Sequence, residues 1–150
     1  MNDRRIDLPS VPNFRDLGGL PVLGGAFARG ELYRSTDLSR LTDTDLPKYR
    51  KLGVQTVFDL RTAGERTAAP DRLDDDQRAV VLDVLADSRH AAAASLSTLL
   101  SDPSQAEEFL GDGRGVTMMI ESYRNVVDLP SAQTAYREFF RELADPTRKG

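Results

Sequence analysis

The sequence predicts an α/β protein with parallel strand pairing, and three observations carry that prediction. "GELYRSTDL" (30–38) reads as a short strand, with Leu32 and Arg34 on the face opposite Tyr33 and Ser35. "LSRLTDTDLPKYRKLG" carries helix-start and helix-stop chemistry, and "VQTVFDL" (54–60) returns as a strand. Strand, helix, strand is the βαβ alternation that sets two strands side by side in one direction.

Each element has a local reason. "NFRDLGGLPVLGG" (13–25) is dense in Gly and Pro, which predicts an ordered loop or short hairpin. In the helical stretch Thr42 can cap, Asp45 follows three residues later, and Leu41 with Leu46 can form a hydrophobic staple. Pro47 is late for that register, which moves the expected start of regular helix toward Asp45, and Gly53 supplies the stop. Val54, Thr56, Val57, Phe58 and Leu60 occupy both faces of the next strand, as in a strand covered on both sides. "RAVVLDVL" (78–85) is a second buried-strand candidate, and the acids of "RLDDDQ" before it read as a solvated turn rather than a metal site.

After residue 87 the pattern turns helical. "HAAAASLSTLLSD" (90–102) has high helix propensity and few charges. "VTMMIESYRNVV" (116–127) sets Val116, Met119, Ile120, Tyr123 and Val127 on one face. "SAQTAYREFFREL" (131–143) begins on a Ser131 cap and aligns Ala132, Ala135, Tyr136, Phe139, Phe140 and Leu143. Both stripes are expected to be core packing rather than a cofactor-binding face. "DPTRKG" closes the chain with a helix breaker and basic residues, where an α/β protein would next place a strand. The expectation is one domain over 1–150, incomplete, ending mid-fold.

Composition narrows the function. A hydrophobic share of 39% and a charged share of 29% suit a water-soluble globular domain. A net charge of −4 speaks against a general nucleic-acid or anionic-membrane binder, while leaving room for a local basic site. No apolar run is long enough to span a bilayer, and "MNDRRIDLPSVPNF" has no signal-peptide core, so the expected location is the cytoplasm with unconventional export left open. The chain has no cysteine, which removes disulfides, thiolate zinc sites, iron–sulfur clusters and any thiolate nucleophile within it.

The remaining chemistry-bearing residues are few. "DTDLP" (43–47) looks like an aspartyl-phosphate motif, but Asp43 and Asp45 lie at a helix start, where carboxylates satisfy backbone N–H groups. "GDGRG" (111–115) lacks the preceding strand and the Lys-Ser/Thr ending of a phosphate loop, so it reads as a connection. His90 has no partner pattern and cannot build a metal site alone. Asp59 and Arg61 stand at the C-terminal end of a strand, where open α/β sheets hold their ligands. An acid there can donate or steer protons and a guanidinium fork suits phosphate, but a loop hydrogen bond and a surface ion pair would serve equally well.

The strings "VPNFRDLGG", "GELYRSTDLSRLTDTDLPKYRKLGVQTVFDLRTAGER" and "ESYRNVV" before an aromatic helix resemble the bacterial lid-bearing tyrosine phosphatases. The likeness is dense from Asn13 to Arg66 and loose between about 86 and 115. It implies a cysteine-phosphatase fold, a central and mostly parallel sheet flanked by helices, acting on phosphotyrosine and often on other phosphoproteins and phosphoinositides. It further implies a His-Cys-x-x-Gly-Lys-Asp-Arg loop whose backbone and Arg grip the phosphate while the Cys attacks phosphorus. That loop has no counterpart here, so 1–150 alone is expected to be inactive. The resemblance makes Asp59 a wall of the substrate pocket with Arg61 beside it, and about 88–115 the helical lid. It implies no cofactor. Expected partners are a phosphotyrosine protein or other phosphomonoester and a complementary C-terminal fragment, with no nucleic acid. The alternative is a non-catalytic, pseudophosphatase-like binding protein; a weaker option is phosphotransfer through Asp43 or Asp59.

Overall fold

A computed structural model describes residues 4–88 and 113–145. Within them lie six short strands and four helices. In order these are β1 (Arg15–Asp16), β2 (Pro21–Val22), β3 (Gly25–Ala26), β4 (Tyr33–Arg34), α1 (Leu46–Arg50), β5 (Thr56–Asp59), α2 (Ala63–Ala68), β6 (Arg78–Val81), α3 (Arg114–Asp128) and α4 (Pro130–Ala144). The chain divides into two compact units, whose described parts are 4–57 with 68–80, and 58–67 with 81–88 and 113–145.

The first unit is built on antiparallel pairs. β1 pairs with β4, and β2 with β3. The Gly- and Pro-rich stretch thus forms the short hairpin that its composition predicts. Gly18 is required there by close approach: a Cβ on it would stand 2.5 Å from the Arg29 Cα and 2.9 Å from the Ala28 carbonyl oxygen. Because backbone cannot move aside as a side chain can, Gly18→Ala is expected to cost about 2 kcal/mol, read as a lower urea midpoint at unchanged m.

Leu8, Val11, Phe14, Leu38, Leu41 and Tyr49 form the core of this unit, with Ile6, Tyr33, Leu46 and Val54 packed against it. Phe14 stands at its centre, its ring 5.6 Å from Tyr33 and 6.2 Å from Tyr49. Leu41 and Leu46 join this one cluster, as the staple reading expects. α1 begins after Asp45, and Gly53 closes it at φ +68°, a conformation other residues adopt only with strain. The Asp45 side chain does not cap its helix; it is buried and accepts from the Ser10 backbone N–H (2.8 Å) and hydroxyl (2.6 Å). Those two bonds hold its carboxyl below the usual range. Asp43 also leaves the capping role, pairing with Arg72 at 2.5 Å. In the acidic turn Asp74 takes a two-pronged contact from Arg50, at 2.8 and 2.6 Å.

β5 and β6 form a two-stranded sheet. Arg78 N–H donates to Gln55 C=O and Leu82 N–H to Asp59 C=O, so the register advances equally on both strands and the pair is parallel. The α/β expectation is met at this ladder. Along the 78–85 run Val80, Leu82 and Val84 are buried while Val81 is exposed, so the buried strand expected there is covered chiefly on one face.

In the second unit α3 packs on α4. α4 starts one residue earlier than Ser131, with Leu129 as cap and Pro130 in the first turn. Pro at this position has no N–H to lose and forces the preceding residue to extend, and Leu129 is extended at ψ 144°. Ser131 instead donates its N–H to Asp87 (2.8 Å) and its hydroxyl to Val84 C=O (3.1 Å). Ala132 and Ala135 are buried, and Phe139 meets Phe58 edge-on at 4.9 Å. The α3 stripe departs from expectation: Val116, Met119, Ile120, Tyr123 and Val127 are all exposed. Periodicity specifies an apolar face but not what covers it. His90, the 90–102 helix and nearly all of the lid-like segment lie outside the described residues.

Candidate functional site

The C-terminal ends of β5 and β6 carry a connected charge network. Asp59, the last residue of β5, accepts three hydrogen bonds from Arg61: backbone N–H at 3.0 Å, Nε at 2.9 Å and Nη2 at 2.6 Å. The side chains are 9% and 19% exposed, so this two-pronged pair is largely withdrawn from water. Two residues after a strand end, the chain turns sharply enough for Arg61 to fold back along its own neighbour. The structure therefore joins the two residues singled out in the sequence to each other.

The loop is then closed by a capping box that sequence reading passed over. Thr62, a buried residue, donates its N–H (2.9 Å) and hydroxyl (2.7 Å) to Glu65, and the Glu65 N–H returns to the Thr62 hydroxyl at 3.3 Å. The signal was present as Thr-x-x-Glu in "TAGE" (62–65) and starts α2, which the sequence left as loop. Arg66 follows on that helix, donating to the Arg61 carbonyl and standing 3.8 Å from Asp83. Asp83, two residues beyond β6, also accepts from the Ala63 and Leu85 N–H groups. Arg66 and Asp83 could not be found by spacing, since they are brought together only by strand pairing.

Burial by itself would raise the Asp59 carboxyl. The side-chain and backbone hydrogen bonds from Arg61, with the charges of Arg61 and Arg66, outweigh it and hold the group below the ordinary carboxylate range. Near neutral pH Asp59 is thus a carboxylate that accepts protons in hydrogen bonds and orients a guanidinium. Asp83 also lines a cleft of about 360 Å³ with Asp87, Ser131, Thr134 and Glu138 over an apolar floor of Val81, Leu82, Pro130 and Ala135. That volume is in the range of a small-molecule site. No group of three metal-ligating side chains converges among the described residues, and no described helix is long and apolar enough to cross a membrane.

Known proteins resemble part of this chain. A relative named as a tyrosine-protein phosphatase in Cupriavidus necator is 41% identical over 59 residues, covering 39% of this chain and 22% of its own length. A triple specificity protein phosphatase, PtpB, of Mycobacterium tuberculosis is likewise 41% identical over 59 residues, covering 39% of this chain and 20% of that protein. Each match therefore spans about a fifth of the relative. The sequence model described as the tyrosine phosphatase family matches residues 6–149, taking in the six strands and four helices of the described residues and the Asp59–Arg61 pair. The chain belongs to the tyrosine phosphatase family.

Proposed function

We propose that this chain forms the pocket-wall part of a phosphatase that hydrolyses phosphotyrosine monoesters, with phosphoserine, phosphothreonine or phosphoinositide esters as further substrates, in the cytoplasm. The observation that carries the reading is the family match over 6–149, which includes a charged pair fixed at a parallel strand end. Cysteine chemistry needs a thiolate, and none of the 150 residues can supply one. The nucleophile and its phosphate-gripping loop are therefore assigned to polypeptide outside this chain. That nucleophile attacks phosphorus, the phenolate leaves with a proton from an acid of the loop, and water releases phosphate from the phosphocysteine. Asp59 keeps Arg61 in place beside the bound ester.

The exposed apolar face of α3 supports this assignment, since five large side chains in one stripe suit coverage by further polypeptide. The test is turnover of a phosphotyrosine peptide by the 150-residue chain, alone and mixed with a polypeptide bearing the cysteine loop. No turnover alone and recovery in the mixture are expected, with Asp59→Asn lowering the recovered rate about tenfold. Turnover by the chain alone would sink the proposal. Tight phosphopeptide binding with no recovery in any mixture would favour the non-catalytic binding role.

A further inference from the structure

We propose that the outer face of the β1–β4 ladder is an oxyanion site, in which Arg15 and Arg34 together take a phosphate-type dianion. It goes beyond the pocket-wall reading and uses none of the residues of the Asp59 network. Arg15 lies directly opposite Arg34 in the antiparallel register. Arg5 lies directly opposite Arg15 on its other side, through an antiparallel bridge. Hydrogen bonds from Ile6 N–H to Phe14 C=O and from Asp16 N–H to Arg4 C=O, both 2.9 Å, flank that second pair. This makes it the close, non-hydrogen-bonded kind, with Cα atoms about 4.5 Å apart.

Directly opposed residues share a face of the ladder. Ile6, Phe14 and Tyr33, on the other face, pack into the core, so the arginines lie on the opposite face, where Arg5 and Arg34 are exposed and Arg15 is half-buried. Like charges set directly opposite one another weaken a ladder. Here Arg15 and Arg34 stand directly opposite each other, in a chain whose net charge is −4. Such a pair is favourable once an anion is shared between its members.

Asn13 holds φ +68°, the single non-glycine residue with positive φ among those described. Its side-chain oxygen accepts from Arg15 Nε at 2.9 Å. That contact restrains the Arg15 guanidinium through Nε and leaves its two Nη groups for other acceptors, and guanidinium N–H pairs fork onto two oxygens of a phosphate. Asp7, in register with Asn13 along the same edge, is held by Lys48 at 3.1 Å rather than by the arginine pair. The ligand class is a tetrahedral dianion, either free phosphate or the terminal group of a phosphomonoester.

The test is a titration of the 150-residue chain with inorganic phosphate, with phenyl phosphate and with chloride at matched ionic strength, followed on arginine Nε–Hε resonances. Phosphate is expected to shift the Arg15 and Arg34 signals at millimolar concentration while chloride does not. A response to phenyl phosphate alone would assign the site to the monoester, and a response to both to the oxyanion itself. Arg34→Gln is expected to weaken binding about tenfold, and Asn13→Gly, which keeps the backbone conformation but removes the Nε acceptor, several-fold. Without anion, Arg34→Gln should raise the thermal midpoint by relieving the like-charge pair; with phosphate it should show no further rise, unlike the parent chain. Phosphate shifts no larger than those of chloride, or unchanged in Arg34→Gln, would overturn the proposal.

Discussion

Tyr49→Ala will lower the unfolding free energy by about 4 kcal/mol, the usual loss when a fully buried aromatic is cut back to a methyl. Tyr49 is 2% exposed, lies edge-on to Phe14 and ties α1 to the core of the first unit. Its hydroxyl accepts from the Gln77 side chain at 3.0 Å, and Gln77 donates as well to the Val54 carbonyl at 2.6 Å. Tyr49→Phe therefore removes one hydrogen bond and leaves the packing, so about 1 kcal/mol is expected. Urea unfolding followed by circular dichroism measures both; similar losses for the two variants would show that the hydroxyl rather than the ring carries the contribution. Burial pushes the Tyr49 hydroxyl above its ordinary value, with the Gln77 hydrogen bond opposing and the Asp71 and Asp74 charges adding. A raised folded value means that this contribution is intact below about pH 10 and is lost as pH climbs through the folded value.

Asp59→Ala will cost about 3 kcal/mol, because it leaves the Arg61 guanidinium largely buried without its main counter-charge. Asp59→Asn should cost less, since an amide oxygen still accepts from the Arg61 backbone N–H while the charge attraction is gone. A loss below 1 kcal/mol for the alanine variant would show that water screens the pair despite its burial. The pH dependence has a definite sign. The folded carboxyl titrates below its unfolded value of about 3.9, so the stabilisation is complete above that pH and is lost as pH falls through the folded value. In Asp59→Asn that part of the acid transition should disappear.

Much of the first unit was legible because its signals are local. Gly53 stops α1 as a positive-φ glycine, the Gly- and Pro-rich segment is a hairpin, and Leu41 and Leu46 join one cluster. α2 was legible but unread, its Thr62–Glu65 box lying beside the more conspicuous Asp59 and Arg61. Ser131 misled as a cap because its chemistry is right and only the Pro before it decides the register. Asp45 misled for a different reason: its carboxylate is taken by Ser10, 35 residues away, a partner no local pattern announces.

The residues alone were enough to determine the α/β class, the parallel strand that carries Asp59, the absence of a thiolate and the family likeness. All of these depend on residue type and short spacing, which are properties of the chain itself. Tertiary structure decided the rest: that Asp59 is spent on Arg61, that Arg66 and Asp83 join them, that the α3 stripe lies exposed, and that three arginines distant in sequence stand in one row. The reason is that strand register and helix coverage are set by contacts between segments far apart in the chain, whose energies depend on which partner arrives. A periodic stripe or a lone charge has several good partners, and only the folded chain selects one.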